Sequence, residues 1–344
     1  MIEEIVRDKI REKSGLSVCE FMDLVLTHPQ YGYYTQKDPL GQRGDFITAP
    51  EISQMFGETL AVCLADVYIQ RFAPLQKLYL VECGAGSGIL MADILRCLQK
   101  IAPSMAAIIQ PVFIEINPIL QAKQKQAVPQ AIWADQLDEG LFVENAPVFF
   151  VGNEFLDALS FNSYIYNQKQ WIERVIESDE LGFVWAARSV SLPCSIPFPD
   201  NPKEGDIFEY APDREGFISK ICFFINKLNG FAIFLDYGHL QSSFGDTFQA
   251  MHRHQYCDVF DHLGQADLTS HVDFDRLSQI ARQSGRHVTL STQADFLRHY
   301  GIDMRLQQLQ KGKSIAQQKR LSQDHARLTD NDQMGVLFKV MMIA

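Results

Sequence analysis

The sequence has no C-x-x-C pair and no even set of cysteines. Its seven cysteines, Cys19, Cys63, Cys83, Cys97, Cys194, Cys222 and Cys257, are scattered. That pattern argues against a disulfide framework or a zinc ribbon and fits a reducing compartment. No apolar run approaches the ~20 residues of a membrane span. The opening MIEEIVRDKIREKSG mixes acids with bases, unlike a signal or transit peptide. A soluble, cytoplasmic protein with no membrane partner is the expectation. Basic blocks are missing as well: 31 Lys and Arg stand against 42 Asp and Glu, a net charge of −11. Phosphate-driven nucleic-acid binding wants a basic face, so no nucleic acid is expected. A cationic ligand or a basic protein substrate suits the overall field better. The most basic stretch, around Lys311, Lys313, Lys319 and Arg320, reads as a solvated helix face. Internal repeats and low-complexity linkers are absent.

What is present is an apolar inventory of 47% over 344 residues, enough for a sizeable core. Residues 1–75 read as a helical cap, with Ile2, Ile5, Val6 and Ile10 at helical spacing. A long polar loop bearing Tyr31, Tyr33, Tyr34 and Phe46 interrupts it, and a helix is expected over 51–68. An alternating βα rhythm follows over 76–160: strands at 78–83, 112–116, 131–134 and 148–152, helices at 89–101 and 118–126. Such alternation implies a parallel sheet covered on both faces. Short alternating runs over 161–210 predict inserted β-hairpins, which offer a partner or homodimer surface. The core resumes over 211–240 with a helix at 213–228 and a strand at 231–236. Residues 241–285 read as a loop and helical insertion. The C-terminal part, 286–344, supplies strands at 288–290 and 336–343.

The stretch VECGAGSGIL, 81–90, follows the first core strand. Gly84, Ala85, Gly86 and Gly88 form a G-x-G-x-G turn rather than the G-x-G-x-x-G of dinucleotide enzymes. Such a turn lets a ligand approach the backbone and the helix N-terminus behind it. Glu82 lies inside the strand, where a carboxylate repels pyrophosphate and attracts an ammonium or sulfonium. Glu115, ending the second strand, suits ribose hydroxyls; a capping carboxylate before Pro118 is the competing account. Asp135, after the third strand, is placed to accept from an adenine amino group. These features favour S-adenosyl-L-methionine over NAD as cofactor without excluding a dinucleotide.

Several segments together resemble the MidA-type methyltransferase family, which includes a mitochondrial complex I assembly factor that methylates a protein arginine. They are Gly44-Asp45-Phe46-Ile47-Thr48 with Pro50-Glu51-Ile52-Ser53, the VECGAGSG turn, and Gly152-Asn153-Glu154-Phe155-Leu156-Asp157-Ala158. Further matches are Trp171-Ile172-Glu173-Arg174-Val175, Asp236-Tyr237-Gly238-His239, the run from Ala266 to Phe274, and Met334 to Lys339. The matches run in order along nearly the whole chain. One departs: the family has proline where Ser160 stands. The resemblance implies a class I (Rossmann-like) α/β methyltransferase fold with seven strands, the last antiparallel, under an N-terminal helical cap. It also implies a protein substrate, of the respiratory-complex-subunit type.

For an arginine substrate, carboxylates bind the planar guanidinium fork and accept its proton. Glu154 and Asp157, three apart after the fourth strand, are read as one face of a helical turn. Glu154 is expected as the principal guanidinium-binding group and Asp157 as its support, with Asn153 at the cofactor face. Asp236 and His239 end the fifth strand and are taken as further catalytic candidates, for substrate amine or base; a structural turn is the equal alternative. Gly44 and Thr48 are expected to cover the cofactor. His252, His254 and His262 match no standard ligand spacing, and no metal is expected. The alternatives are a non-catalytic assembly or chaperone protein on a methyltransferase scaffold, and an NAD-dependent oxidoreductase.

Overall fold

The computed structural model describes residues 1–36, 48–143, 146–189, 193 and 196–344. Its centre is a mixed sheet whose main strands are β1 (Leu78–Cys83), β2 (Ile109–Ile114), β3 (Ile132–Ala134), β4 (Val148–Asn153), β5 (Phe231–His239), β6 (Val288–Thr292) and β7 (Phe338–Ile343). They lie in the order β3-β2-β1-β4-β5-β7-β6. The first five are parallel, and β7 runs antiparallel between β5 and β6. A two-residue strand, Val272–Asp273, pairs with the end of β5 and makes the sheet eight-stranded rather than seven-stranded. β1 and β4 are buried along their whole length because helices cover both faces.

On one face Phe56, Leu60 and Leu64 of helix Gln54–Arg71 meet Leu90 and Ile94 of helix Ile89–Ile101 over Leu80, Phe149 and Ile233. On the other, Ile221 and Ile225 of helix Pro212–Leu228 join Phe274 and Leu277 over Val81, Phe150 and Phe234. The order in which successive strands are added reverses at β1, which lies between β2 and β4. That reversal opens a crevice at the carboxyl ends of the strands, the usual ligand position in such sheets.

A second, smaller core corrects the expected segmentation. Helices Ile2–Lys13 and Val18–Thr27 bury Val6, Phe21 and Val25 against Phe161, Ile176, Leu263 and Leu268. Leu16–Ser17 pairs with Gln170–Ser178, within a sheet completed by Asn162–Asn167, Phe183–Arg188 and Ile207–Tyr210. The start of the chain, the hairpins and the 249–269 strands therefore form one lobe. Helix Gln54–Arg71, expected in the cap, belongs to the main core instead. Its buried Glu58 receives a bidentate ion pair from Arg305 (2.7 and 3.0 Å) on helix Ile302–Gln310. That helix is one of four between β6 and β7 where only strands were expected. Lys311, Lys313, Lys319 and Arg320 are exposed there, as a solvated helical surface should be. Among the described residues no helix is long and apolar enough to cross a membrane.

Candidate active site

A cleft of about 420 Å³ opens at the carboxyl ends of β1, β2 and β4. The glycine turn forms its floor. Gly84 and Gly86 have φ of +65° and +53°, a region costly for residues with a Cβ. At Gly84 a Cβ would also lie 2.6 Å from the Phe155 ring. Glu82 stands beneath, 3% exposed, with Oε2 lacking a hydrogen-bond partner among the described residues. Burial raises its pKa to about 8, the Met91 N–H opposing the rise and Glu115 adding slightly to it. A buried acceptor of this kind calls for a cationic donor.

Glu115 also lines the cleft. Its Oε1 accepts from the Asn117 N–H (2.8 Å) and its Oε2 from Gln124 Nε2 (3.0 Å). Burial raises its pKa, and those donors oppose the rise. The acid lines the cleft and also braces the start of helix Pro118–Ala127, whose N-cap is Asn117. The fully buried Gln124 gave no sequence signal beyond a polar residue in a helix. It donates to the Gly86 carbonyl (2.9 Å) and accepts from Trp133 Nε1 (3.0 Å), tying the glycine turn to β3. Asp135 lines the same end, beside Leu137 and the half-exposed Ile116, which sequence reading missed. Thr48 and Asn153 also line the cleft, and the Asn153 Oδ1 is buried without a partner among the described residues.

The segment after β4 is not helical. Glu154 sits at φ +49° and starts an irregular turn, so the shared helical face expected for Glu154 and Asp157 does not exist. The Glu154 Oε1 accepts from the Ala49 N–H and Asn153 Nδ2, both at 3.0 Å. It thereby ties the start of helix Ala49–Ile52 to the end of β4. Burial raises its pKa to about 7, against the pull of the Ala49 N–H. Asp157 is 5% exposed, its Oδ2 accepting from the Tyr237 hydroxyl and its Oδ1 buried without a partner among the described residues. Its pKa is raised by burial; the Tyr237 hydroxyl, Arg214 and nearby N–H groups oppose this without meeting hydrogen-bond geometry at Oδ1. Ser160, the departure from the family, is buried and donates to Asp213 Oδ2 at 2.9 Å.

Three expected site residues are placed elsewhere. Asp236 is fully buried, and its Oδ2 accepts from the N–H groups of Phe155 (3.1 Å), Leu156 (2.9 Å) and Asp157 (3.1 Å). The Tyr237 N–H adds a fourth bond at Oδ1 (3.0 Å). It is the brace of the turn, not a cleft group. His239 faces a separate cavity of about 600 Å³ with His271, Asp273 and Arg276, 3.7 Å from the Asp273 carboxylate. Gly88 caps helix Ile89–Ile101 at φ +79° and packs on Gln124, outside the cleft. Gly44 lies outside the described residues. The rings of His252 and His262 stack at 4.4 Å within the lobe, and among the described residues neither they nor His254 belongs to a metal-ligand cluster.

A buried acceptor at β1, a carboxylate at the end of β2 and an apolar slot with Asp135 fit a nucleoside joined to a cationic amino acid. Comparison with known proteins agrees. A family described as "Putative S-adenosyl-L-methionine-dependent methyltransferase" matches residues 59–292. Protein arginine methyltransferase NDUFAF7, mitochondrial, of Xenopus tropicalis is 32% identical over 363 residues, covering 97% of this chain and 84% of that protein. The human protein of the same name is 30% identical, covering 96% and 80%. A crystal structure from Burkholderia thailandensis with bound S-adenosyl-homocysteine superposes with a TM-score of 0.84 at 26% identity, covering 100% of this chain and 91% of that one. The curated relatives' names place those proteins in mitochondria, which does not support the cytoplasmic expectation. With 68% of its length inside the family match, by 234 of 344 residues, the chain belongs to this family of S-adenosylmethionine-dependent methyltransferases.

Proposed function

We propose that this enzyme methylates an arginine side chain of a protein. The observation that carries the reading is a set of buried acceptor oxygens in one cleft: Glu82 Oε2, Asn153 Oδ1 and Asp157 Oδ1 have no donor among the described residues. Glu82 would hold the amino-acid end of the cofactor, Glu115 its ribose, and Asp135 with Ile116 and Leu137 its adenine. S-adenosylmethionine supplies an electrophilic methyl group on a sulfonium. The acidic end of the cleft then suits a cationic acceptor, and the curated relatives are named protein arginine methyltransferases. Asp157 takes over the principal role expected of Glu154. One Glu154 oxygen is already committed to Ala49 and Asn153, so Glu154 holds the covering segment in place. The order β3-β2-β1-β4-β5-β7-β6 supports a class I arrangement. A respiratory-complex subunit is the protein substrate favoured by the family resemblance.

The test is calorimetric titration with S-adenosylmethionine and with NAD, for wild type and Gly86→Val, followed by methyl transfer to arginine and lysine peptides. Binding of S-adenosylmethionine alone, lost in the variant, with transfer to arginine, is the expected result. Transfer to lysine only would overturn the arginine reading.

A further inference from the structure

We propose that Arg214 is the positioning residue of Asp157: buried beside it, Arg214 fixes the turn that carries Asp157 and offsets the charge of its carboxylate. This rests on the arginine reading above, in which Asp157 is the principal group for the acceptor. Arg214 stands in the first turn of helix Pro212–Leu228, between Asp213 and Glu215. A cation there opposes the helix dipole, so the helix itself gives no reason for it. Arg214 is also only 3% exposed, and arginine is rarely buried so deeply without partners.

Its donors account for the burial. The guanidinium donates to the backbone carbonyls of Leu159 (3.2 and 3.0 Å), His271 (2.8 Å) and Asp157 (3.1 Å), and to the Ser270 hydroxyl (2.6 Å). The turn after β4 is thereby tied to the chain that enters the short strand Val272–Asp273. Each of these partners is neutral, so the charge of Arg214 is not held by one carboxylate. Burial disfavours that charge, and Asp157, Asp236 and Glu209 oppose the effect together. Arg214 lines the second cavity and not the cleft, so it acts through Asp157 rather than on the ligand.

Asp157 needs such a neighbour. The groups that face it are Arg214 of helix Pro212–Leu228, Asp236 and Tyr237 of β5, Glu154 of its own turn and Tyr34 of the lobe, whose hydroxyl donates to Asp267. Arg214 is the cation among them. Burial disfavours the Asp157 anion, and the Tyr237 hydroxyl and Arg214 oppose this. In the reaction the carbon–sulfur bond breaks with its electrons on sulfur, and the methyl carbon bonds to the acceptor nitrogen. The proton that nitrogen loses passes to Asp157 Oδ1, so the carboxylate must start as an anion. Asp236 and Glu154 nearby leave this end of the cleft attractive to a cation even beside Arg214.

The probe is ethylguanidinium, titrated calorimetrically from about pH 5.5 to 9 into the protein saturated with S-adenosylhomocysteine. In wild type, affinity should be level at high pH and fall as Asp157 takes up a proton. Asp157→Asn should weaken binding by about tenfold or more at high pH and shrink that step, Glu154 supplying the remainder. Arg214→Met should move the step up by about one pH unit or more, the scale of one nearby opposite charge. Arg214→Lys keeps the charge but offers a single ammonium to four acceptors. Its step should stay within about half a pH unit of wild type, while its affinity at high pH falls about threefold or more. S-adenosylhomocysteine affinity within about threefold of wild type marks a variant as folded. A folded Arg214→Met with an unmoved step would overturn the proposal and leave the arginine reading intact. If Arg214→Met does not fold, wild-type ethylguanidinium affinity in Arg214→Lys overturns it instead. A step that survives unchanged in Asp157→Asn would remove Asp157 from acceptor binding, and this proposal with it. Absence of binding to wild type would overturn the arginine reading as well.

Discussion

Glutamine in place of Glu82 removes a charge while keeping shape, and the structure gives both the sign and the size of the effect. Burial lifts this carboxyl from an ordinary 4.5 to about 8. That difference corresponds to roughly 5 kcal/mol between its ionised and protonated forms in the free protein. The folded chain keeps a proton that the unfolded chain releases above 4.5. The native state therefore binds more protons between about 4.5 and 8, and this contribution to stability is present at low pH and lost across that window. Glu82→Gln has no such term, so the free variant should unfold at the same or a higher temperature than wild type at pH 8. Cofactor binding has the opposite demand, because a cationic donor favours the ionised acid. Below about 8, binding releases a proton, and wild-type affinity should rise by up to roughly tenfold per pH unit between pH 6 and 7.5. In the variant that share of the slope disappears, and affinity at pH 7.5 falls by about ten- to a hundredfold, the scale of one hydrogen bond to a charged group. Glu154 also titrates near 7 in this cleft. It does so in both proteins, so the difference between them isolates Glu82. The assay is calorimetry with S-adenosylhomocysteine in two buffers of different ionisation enthalpy, which counts the protons released. Affinity within twofold of wild type, with an unchanged proton count, would refute the assignment of Glu82 to the cofactor's ammonium.

Asp236→Ala strands four buried N–H groups and should destabilise the fold by about 3 kcal/mol or more, seen as a lower midpoint in denaturant. A wild-type midpoint with abolished transfer would restore Asp236 to the chemistry. His239→Ala should retain methyl transfer within about threefold of wild type, since the residue faces the other cavity; steady-state rates decide this. Gly84→Ala places a Cβ 2.6 Å from the Phe155 ring at φ +65°, so S-adenosylhomocysteine binding by calorimetry should be lost or severely weakened. Glu58→Ala leaves the partly exposed Arg305 without its bidentate partner, and thermal unfolding should report a loss of about 1–2 kcal/mol.

Sequence reading succeeded where the demand is local. The glycine turn was legible because its backbone conformation excludes side chains whatever surrounds it. The main strands were legible because two covered faces leave an apolar run with no alternation. The lobe was not, since Leu16 pairs with Ile176 across 160 positions and neither residue carries a mark of the other. Acids at strand ends show the limit most clearly. Glu82, Glu115, Glu154, Asp157 and Asp236 look alike as letters, each a carboxylate close to an apolar run. They differ in how many donors the folded chain brings to them. Asp236 receives four amides and becomes a brace. Glu154 has one oxygen taken by the covering segment. Asp157 and Glu82 each keep a buried oxygen that no donor among the described residues reaches. Burying such an atom is unfavourable by a few kcal/mol unless something from outside completes it. Hydrogen-bond occupancy, set by contacts tens of residues away, thus separates the acids that the fold has saturated from those that keep an oxygen open.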